Sequence, residues 1–185
     1  MPPSPEATIQ STQTTKKKLA PDGRCYFSYA EVHATVTALI PRLVAEFRPT
    51  VMIAIGGGGF IPARILRTQL QIPIVAVSLE LYDDATKSIR TTGVQRLQWF
   101  DEATGPGKLV KGGNVLIVDE VDDSRTTLQY CCEEILQNHR PAKLGVVVVH
   151  NKLKEKKGVL PAGVEYFAGA DVPDAWNCYP WCVRM

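Results

Sequence analysis

Four short and almost uninterrupted apolar runs restrict the fold of this 185-residue chain more than any other feature. They lie at 51–55, 74–79, 115–118 and 144–149, with a weaker run at 164–167. Strands that are buried on both faces have this appearance, whereas strands with one wet face alternate. Helical patterns at 28–47 (with an irregularity at Pro41), 60–70 and 126–139 alternate with the runs. The pattern predicts an α/β fold, in which a parallel sheet carries helices on both faces.

The carboxyl ends of the predicted strands locate the candidate site. Ligands of parallel α/β sheets bind beyond these ends, which here are the segments 56–59, 80–84, 119–127 and 150–154. The stretch 80–113 has no strong period, so we expect a lid or a hairpin excursion there.

Composition and cysteine spacing exclude several classes of protein. The apolar runs are far shorter than the ~20 residues that span a bilayer, which excludes an integral membrane protein. The 21 basic and 19 acidic side chains give a net charge of +2, which does not indicate nucleic-acid binding. Five cysteines without a CxxC pair or zinc spacing, in a chain that lacks a signal peptide, favour reduced thiols and a cytoplasmic location. We expect residues 1–24 to be a disordered tail and residues 25–185 to form the domain.

The segment 115–127, VLIVDEVDDSRTT, carries most of the predicted chemistry. Paired carboxylates, Asp119 and Glu120, follow a buried strand and suit sugar hydroxyls or a divalent cation. The hydroxyls of Ser124–Thr127 and the free N–H groups of the next helix form an anion site. Ordinary N-capping would explain one or two of these residues, but not four carboxylates within five positions. The hypothesis requires the acidic groups to share a cleft and the turn amides to have no protein acceptor.

This segment resembles the 5-phosphoribosyl-1-pyrophosphate (PRPP) signature of type I phosphoribosyltransferases. The spelling DEVDDSRTT is similar to the purine-salvage branch, the fungal hypoxanthine-guanine and xanthine phosphoribosyltransferases. The likeness covers about residues 26–181, and implies the type I fold with a flexible lid at about 80–113 and a small purine-binding hood at about 152–185. It also implies transfer of the phosphoribosyl group from PRPP to hypoxanthine, guanine or xanthine with Mg²⁺ bound, giving the nucleoside 5′-monophosphate and pyrophosphate.

The resemblance assigns a role to each part of the motif. Asp119 and Glu120 would hold the ribose hydroxyls and the metal, and Asp123 would lie near purine N7 as the catalytic base or electrostatic partner. Ser124–Thr127 would surround the 5′-phosphate. Arg125, at a position where relatives often have glycine, would bind through its N–H while its side chain faces solvent. The PRPP loop as a whole comprises Asp119, Glu120, Val121, Asp122, Asp123, Ser124, Arg125, Thr126 and Thr127.

Glycines 56–59 lie where the family binds pyrophosphate. Backbone N–H groups of Gly57 and Gly58 would contact it, and we expect a strained or cis peptide near this pair. The loop lacks the arginine of bacterial relatives, so Arg64 or Arg67 would compensate from the next helix.

The hood and the lid supply the remaining implied contacts. Lys152, or its rival Lys154, would donate to the 6-oxygen of the purine, and the other lysines of that run are expected to be solvated. Trp176 would stack on the base, unless it is a core or edge aromatic, and backbone groups of Asn177 would face the 2-position. Tyr82 would close over the reaction, unless it is simply a loop tyrosine.

Two alternatives remain open at this point. A PRPP-sensing regulator that has lost catalysis would explain the missing arginine, although neither a helix-turn-helix nor a basic patch is visible. The second alternative is a phosphoribosyltransferase that acts on a pyrimidine or on adenine. Lys152 and Trp176 disfavour it. By analogy with the family we expect a homo-oligomer, a dimer or tetramer, with no nucleic-acid or membrane partner.

Overall fold

A six-stranded sheet forms the centre of the computed structural model, which describes residues 17–83, 88–89 and 93–182, with backbone alone at 82–83 and 88–89. The strands are β1 (Cys25–Tyr26), β2 (Val51–Gly56), β3 (Ile74–Glu80), β4 (Tyr82–Asp83), β5 (Ser88–Ile89), β6 (Gln95–Gln98), β7 (Asn114–Asp122), β8 (Lys143–Leu153), β9 (Glu165–Pro173) and β10 (Asn177–Cys178). The order across the sheet is β6-β3-β2-β7-β8-β9. All neighbours are parallel except β6, which is antiparallel to β3. This is the predicted α/β architecture.

Three helices cover the sheet: α1 (Tyr29–Arg42), α2 (Phe60–Leu70) and α3 (Thr126–His139). A capping box of Ser28 and Glu31 begins α1, at the start of the helical pattern of residues 28–47, and a π-helical turn at Leu43–Phe47 follows Pro41. Proline has no N–H to donate, which accounts for the irregularity expected at this position.

The core has two halves because the central strands are buried on both faces. Met52 and Ala54 of β2 belong to the half beneath α1 and α2, whereas Val51 and Ile53 belong to the half beneath α3. Side chains alternate between the faces of a strand, so uninterrupted apolar runs serve both halves. Within the described residues, no helix combines the length and apolar character needed to cross a membrane.

The stretch predicted as a lid divides into two parts. Strands β4 and β5 pair with each other outside the main sheet, while β6 adds an edge to that sheet. A 3₁₀ turn at Gly105–Leu109 then returns the chain to the core, where Gly107 and Val110 are buried. The excursion in the described part is therefore much shorter than 80–113.

The amino-terminal strand joins the carboxyl-terminal hood, a contact that the sequence analysis did not predict. Cys25 N–H donates to the Trp176 carbonyl (2.9 Å), and Phe27 N–H donates to the Cys178 carbonyl (3.0 Å). Lys17, within the expected tail, pairs with Glu31 and lies over the Phe27 ring. Residues from 17 onward thus contact the domain.

Candidate functional site

The acidic pair lies at the carboxyl end of β7, which extends to Asp122 rather than ending at Val118. Pairing with β8 continues as far as Asp122 and Asn151, which keeps this end extended. Burial, and then the adjacent Glu120 charge, raises the pKa of Asp119 well above its ordinary value. A cation or a set of sugar hydroxyls at this position would relieve that unfavourable pairing.

The glycine loop lies directly against this acidic pair. A Cβ placed on Gly58 would come within 1.6 Å of Glu120 Oε2, so only glycine admits the carboxylate in its present position. A Cβ on Gly57 would meet no atom within 4 Å, which leaves that side of the loop open. The cis peptide lies between Gly56 and Gly57, one bond earlier than expected.

Two lysines converge on Asp123. Its Oδ1 lies 3.1 Å from Lys154 Nζ and 3.3 Å from Lys152 Nζ. Burial alone would raise the pKa of Asp123, but the two lysines outweigh it and hold the pKa below its ordinary value. Lys154 also pairs with Asp174 of the hood at 3.0 Å. Both rival lysines therefore meet the predicted catalytic carboxylate, which is ionised at neutral pH.

Asp122 holds the side chain of Arg125 inside the protein. Its Oδ2 accepts from Arg125 Nε (2.9 Å) and Nη2 (2.7 Å), and also from the Tyr166 hydroxyl (2.8 Å). The guanidinium lies 5.0 Å from the centre of the Tyr166 ring. The expectation that this arginine side chain faces solvent was wrong, because sequence spacing could not reveal a buried partner on β7. Arg125 has a φ of 68°, a left-handed conformation that favours glycine.

The turn that begins α3 presents unoccupied amides. The Ser124 hydroxyl donates to Thr126 Oγ1 (3.1 Å), and Thr126 N–H reaches Ser124 Oγ only at 3.5 Å. In the part of the chain that the structure describes, the N–H groups of Ser124, Arg125 and Thr127 have no protein acceptor. Amides at a helix N-terminus with adjacent hydroxyls suit a phosphate group.

A segment behind this turn was missed by sequence reasoning. Lys156 Nζ donates to the carbonyls of Asp122 (2.7 Å), Asp123 (3.1 Å) and Lys152 (2.8 Å). The N–H groups of residues 157 and 158 both donate to the Ser124 carbonyl. The expectation that these lysines are mostly solvated is therefore wrong for Lys156, whose side chain is 13% exposed. Nothing in this basic run, which holds a single glutamate, distinguishes Lys156 from its exposed neighbours.

The predicted base-stacking residue is open to solvent. Trp176 is 71% exposed, so its ring is not the core aromatic of the alternative reading. Asn177 is the next residue and begins β10. The carbonyls on either side of it, those of Trp176 and Cys178, accept hydrogen bonds from the β1 segment. Alternation along a strand directs the backbone groups of Asn177 to the opposite side.

A buried ring cluster ties the hood to β7. The Tyr179 hydroxyl donates to the Glu120 carbonyl (3.2 Å) and lies 2.8 Å from His150 Nδ1, while Phe27 stacks on His150 with 4.1 Å between ring centres. Burial lowers the pKa of His150 to about 4 and raises the pKa of Tyr179. A neutral His150 therefore helps to hold the hood over the acidic pair. A lone histidine after a predicted strand gave no signal of this role.

Among the described residues, the two arginines of α2 make no contact with the glycine loop. Arg64 donates to Thr68 Oγ1 at 2.8 Å, one helical turn further from the glycine loop, and Arg67 is exposed. The side chain of Tyr82 lies outside the described residues.

Across the ranges that the structure describes, no three or more Asp, Glu, His or Cys side chains form a metal cluster.

Comparison with known sequences gives a consistent set of relatives. A family model described as the phosphoribosyl transferase domain matches residues 28–166. The chain is 43% identical to a hypoxanthine-guanine phosphoribosyltransferase of Schizosaccharomyces pombe, over 85% of this chain and 88% of that protein. It is 38% identical to xanthine phosphoribosyltransferase 1 of Saccharomyces cerevisiae, over 88% of this chain and 91% of the relative.

Solved structures show the same fold. A protein from Neisseria gonorrhoeae, crystallised with bound ppGpp, is 41% identical with a TM-score of 0.76, covering 86% of this chain and 89% of that one. A purine phosphoribosyltransferase from Pyrococcus horikoshii has a TM-score of 0.67 at 23% identity, covering 88% and 96%. The second likeness concerns the fold alone.

Proposed function

The chain belongs to the phosphoribosyltransferase family, as an enzyme of purine salvage, and we propose that it transfers the phosphoribosyl group of PRPP to a 6-oxopurine. The products would be a nucleoside 5′-monophosphate and pyrophosphate. The observation that carries the proposal is the meeting of three features at one sheet edge. These are the acidic pair against Gly58, the two lysines on Asp123 and the open amides of the turn at Ser124–Thr127.

Opposite charges divide the proposed site between sugar and phosphate. The turn amides and the hydroxyls of Ser124, Thr126 and Thr127 would bind the 5′-phosphate, while Asp119 and Glu120 would face the ribose hydroxyls. Gly57 and Gly58 would admit pyrophosphate close to the backbone. A purine nitrogen would form a bond to C1 of the ribose as the bond from C1 to the pyrophosphate oxygen breaks. Orientation and stabilisation of the leaving charge would supply most of the catalysis.

The purine end is supported by Asp123 and its lysines. The ionised carboxylate would accept the purine N–H proton or stabilise positive charge near N7. Lys152, which is 8% exposed, would turn from Asp123 to donate to the 6-oxygen, while Trp176 would stack on the ring and Asn177 would contact the 2-position. The Neisseria protein holds ppGpp, a guanosine nucleotide, so a guanine base is accommodated in a relative with this fold.

The donor set fits a Mg²⁺ ion that arrives with PRPP. Asp119 and Glu120 are adjacent oxygen donors, and the raised pKa of Asp119 marks a place where a cation is favourable. Mg²⁺ commonly uses one or two carboxylates together with substrate phosphates and water, so a larger protein cluster is not required. When bound, the ion would neutralise charge on the departing pyrophosphate.

The proposal extends to three features supported by the family resemblance. Tyr82 would close over the reacting centre and exclude water. The protein would form a dimer or tetramer, which light scattering would test. Its location would be cytoplasmic, in keeping with the reduced thiols expected from the sequence.

Product analysis tests the function directly. The protein would be incubated with Mg²⁺, PRPP and hypoxanthine, guanine, xanthine or adenine, and nucleotide and pyrophosphate would be measured. We expect nucleotide from at least one 6-oxopurine and little from adenine. No nucleotide from any 6-oxopurine would refute the proposal, and preference for adenine would refute the assigned substrate class.

A substitution at Asp123 tests the assigned site. Asp123→Asn should lower kcat by about 100-fold or more, as loss of a general acid–base group does, with the fold intact. Asp101→Asn, a matched change at an exposed carboxylate remote from the turn, should leave kcat unaltered. Wild-type turnover in Asp123→Asn would remove this residue from the mechanism.

A further inference from the structure

Lys156 is buried behind the phosphate turn, outside every role assigned above. Its ammonium group has three N–H donors, and three backbone carbonyls take them at 2.7, 2.8 and 3.1 Å. Two of these carbonyls, those of Asp122 and Asp123, lie directly before the phosphate turn in the chain. The third, on Lys152, belongs to the neighbouring strand β8.

Peptide planarity converts these contacts into a direction for the turn amides. In a trans peptide the carbonyl of one residue and the N–H of the next point in opposite directions. Because Lys156 holds the carbonyls of Asp122 and Asp123, the N–H groups of Asp123 and Ser124 face away from it. The N–H donors of residues 157 and 158 hold the Ser124 carbonyl in the same way, which directs Arg125 N–H to that opposite side.

Three consecutive amides therefore point out of the turn because three consecutive carbonyls are held behind it. Such a concave row of N–H groups binds anions. Gly158 allows the close approach, since a Cβ at that position would lie 2.6 Å from the Arg125 carbonyl. We propose that Lys156 is a positioning residue that pre-forms the 5′-phosphate turn for PRPP. This role rests on the proposed function, since it supposes that the phosphate of PRPP occupies the turn.

The purine contacts do not depend on Lys156 in the same way. The Lys152 carbonyl also accepts from Lys154 N–H at 2.9 Å, and β8 is paired with β9 at this point. The strand that carries Lys152 thus keeps its position without the ammonium group. Loss of Lys156 should affect PRPP far more than the base.

Steady-state kinetics of Lys156→Met distinguishes positioning from a general structural effect. We expect the KM for PRPP to rise at least tenfold while the KM for the purine stays within about twofold and kcat changes less than the KM for PRPP. Lys156→Arg, which keeps charge and donors, should recover part of the PRPP affinity. Lys143→Met, at an exposed lysine at the start of β8, is the matched control and should resemble wild type.

The outcomes separate the role of Lys156 from the proposed function. If wild-type protein makes no nucleotide from PRPP, the proposed function fails and this role fails with it. If wild type is active and Lys156→Met keeps the wild-type KM for PRPP, or changes both KM values equally, only the role of Lys156 is overturned. Should Lys156→Met not fold, Lys156→Gln, which keeps two donors, takes its place under the same criteria.

Discussion

Replacing Gly58 by alanine should abolish most activity while leaving the fold intact. The new Cβ would lie 1.6, 1.8 and 2.2 Å from the three carboxylate atoms of Glu120. Ordinary contacts are about 3.5 Å, so the carboxylate must retreat by about 2 Å. The obstacle is the end of a flexible side chain rather than backbone, and φ at Gly58 is not left-handed, so the main chain need not move.

The expected loss follows from the size of that retreat. A displacement of about 1 Å at a catalytic group can reduce the rate about 100-fold, so kcat/KM of Gly58→Ala should fall by about 100-fold or more, equivalent to about 2.7 kcal/mol. Stability should change by less than about 1 kcal/mol, since alanine also restricts the unfolded chain. The unfolding temperature should accordingly stay within about 4 °C of wild type.

A double-mutant cycle identifies Glu120 as the cause. Initial rates with PRPP, Mg²⁺ and hypoxanthine would be compared for Gly58→Ala, Glu120→Ala and the double variant. If the alanine acts by displacing Glu120, it costs nothing further once that side chain is absent, and the two changes are strongly non-additive. Additive losses would refute this reasoning, as would wild-type activity in Gly58→Ala.

Three further predictions concern ionisable side chains that are partly or fully buried. Burial lowers the pKa of His150 to about 4 in the folded protein, so between pH 6.5 and about 4 only the unfolded chain takes up a proton at this histidine. Stability should therefore fall by about 2 kcal/mol from pH 7 to pH 5. Urea unfolding of His150→Phe should show a smaller fall, and an equal one would contradict the assignment. Arg125→Gly should destabilise the protein by about 1 kcal/mol in the same assay. Loss of the ion pair weakens the hold on buried Asp122, at less than the about 3–5 kcal/mol of a fully unpaired buried charge, because Tyr166 and Lys156 still lie beside it. This loss outweighs relief of the left-handed backbone (about 1–2 kcal/mol), and a stabilised variant would refute the reasoning. Lys152→Met should lower kcat/KM for hypoxanthine by at least about tenfold, and Lys154→Met should lower it less because Asp174 shares its charge; the reverse order would assign the base contact to Lys154.

Periodicity and sharp breakers made the helices predictable. The bounds of α2 and α3 agree with the sequence patterns, because the glycines at 56–59 mark the start of α2 and Pro141 follows the end of α3. The start of α1 at the Ser28 capping box agrees with the helical pattern from residue 28 for the same local reason. The position of Asp123 beside the turn follows from short chain distance alone.

Contacts between distant parts of the chain were not predictable in this way. Lys156 reaches carbonyls 33 and 34 positions earlier, and the basic run around it is typical of a solvated loop. Strand β7 extends to Asp122 because it stays paired with β8 as far as that residue. Four acidic residues in five positions do not have the apolar pattern of a buried strand, so the sequence pattern ends the strand at Val118. The Tyr166 ring on β9, which packs against Arg125, is likewise far along the chain.

The pairing of β1 with β10 has a practical consequence for how a minimal version of this protein should be cut. The family match starts at residue 28 and stops at residue 166, so a fragment trimmed to those limits would lack both of these strands. The fragment would keep the phosphate turn but lose the hood. Phe27 and Tyr179, which stack on His150, lie in the two segments that would be removed. An affinity tag or an amino-terminal truncation is therefore best placed before residue 17, because removal of β1 would loosen the carboxyl-terminal segment that carries Trp176.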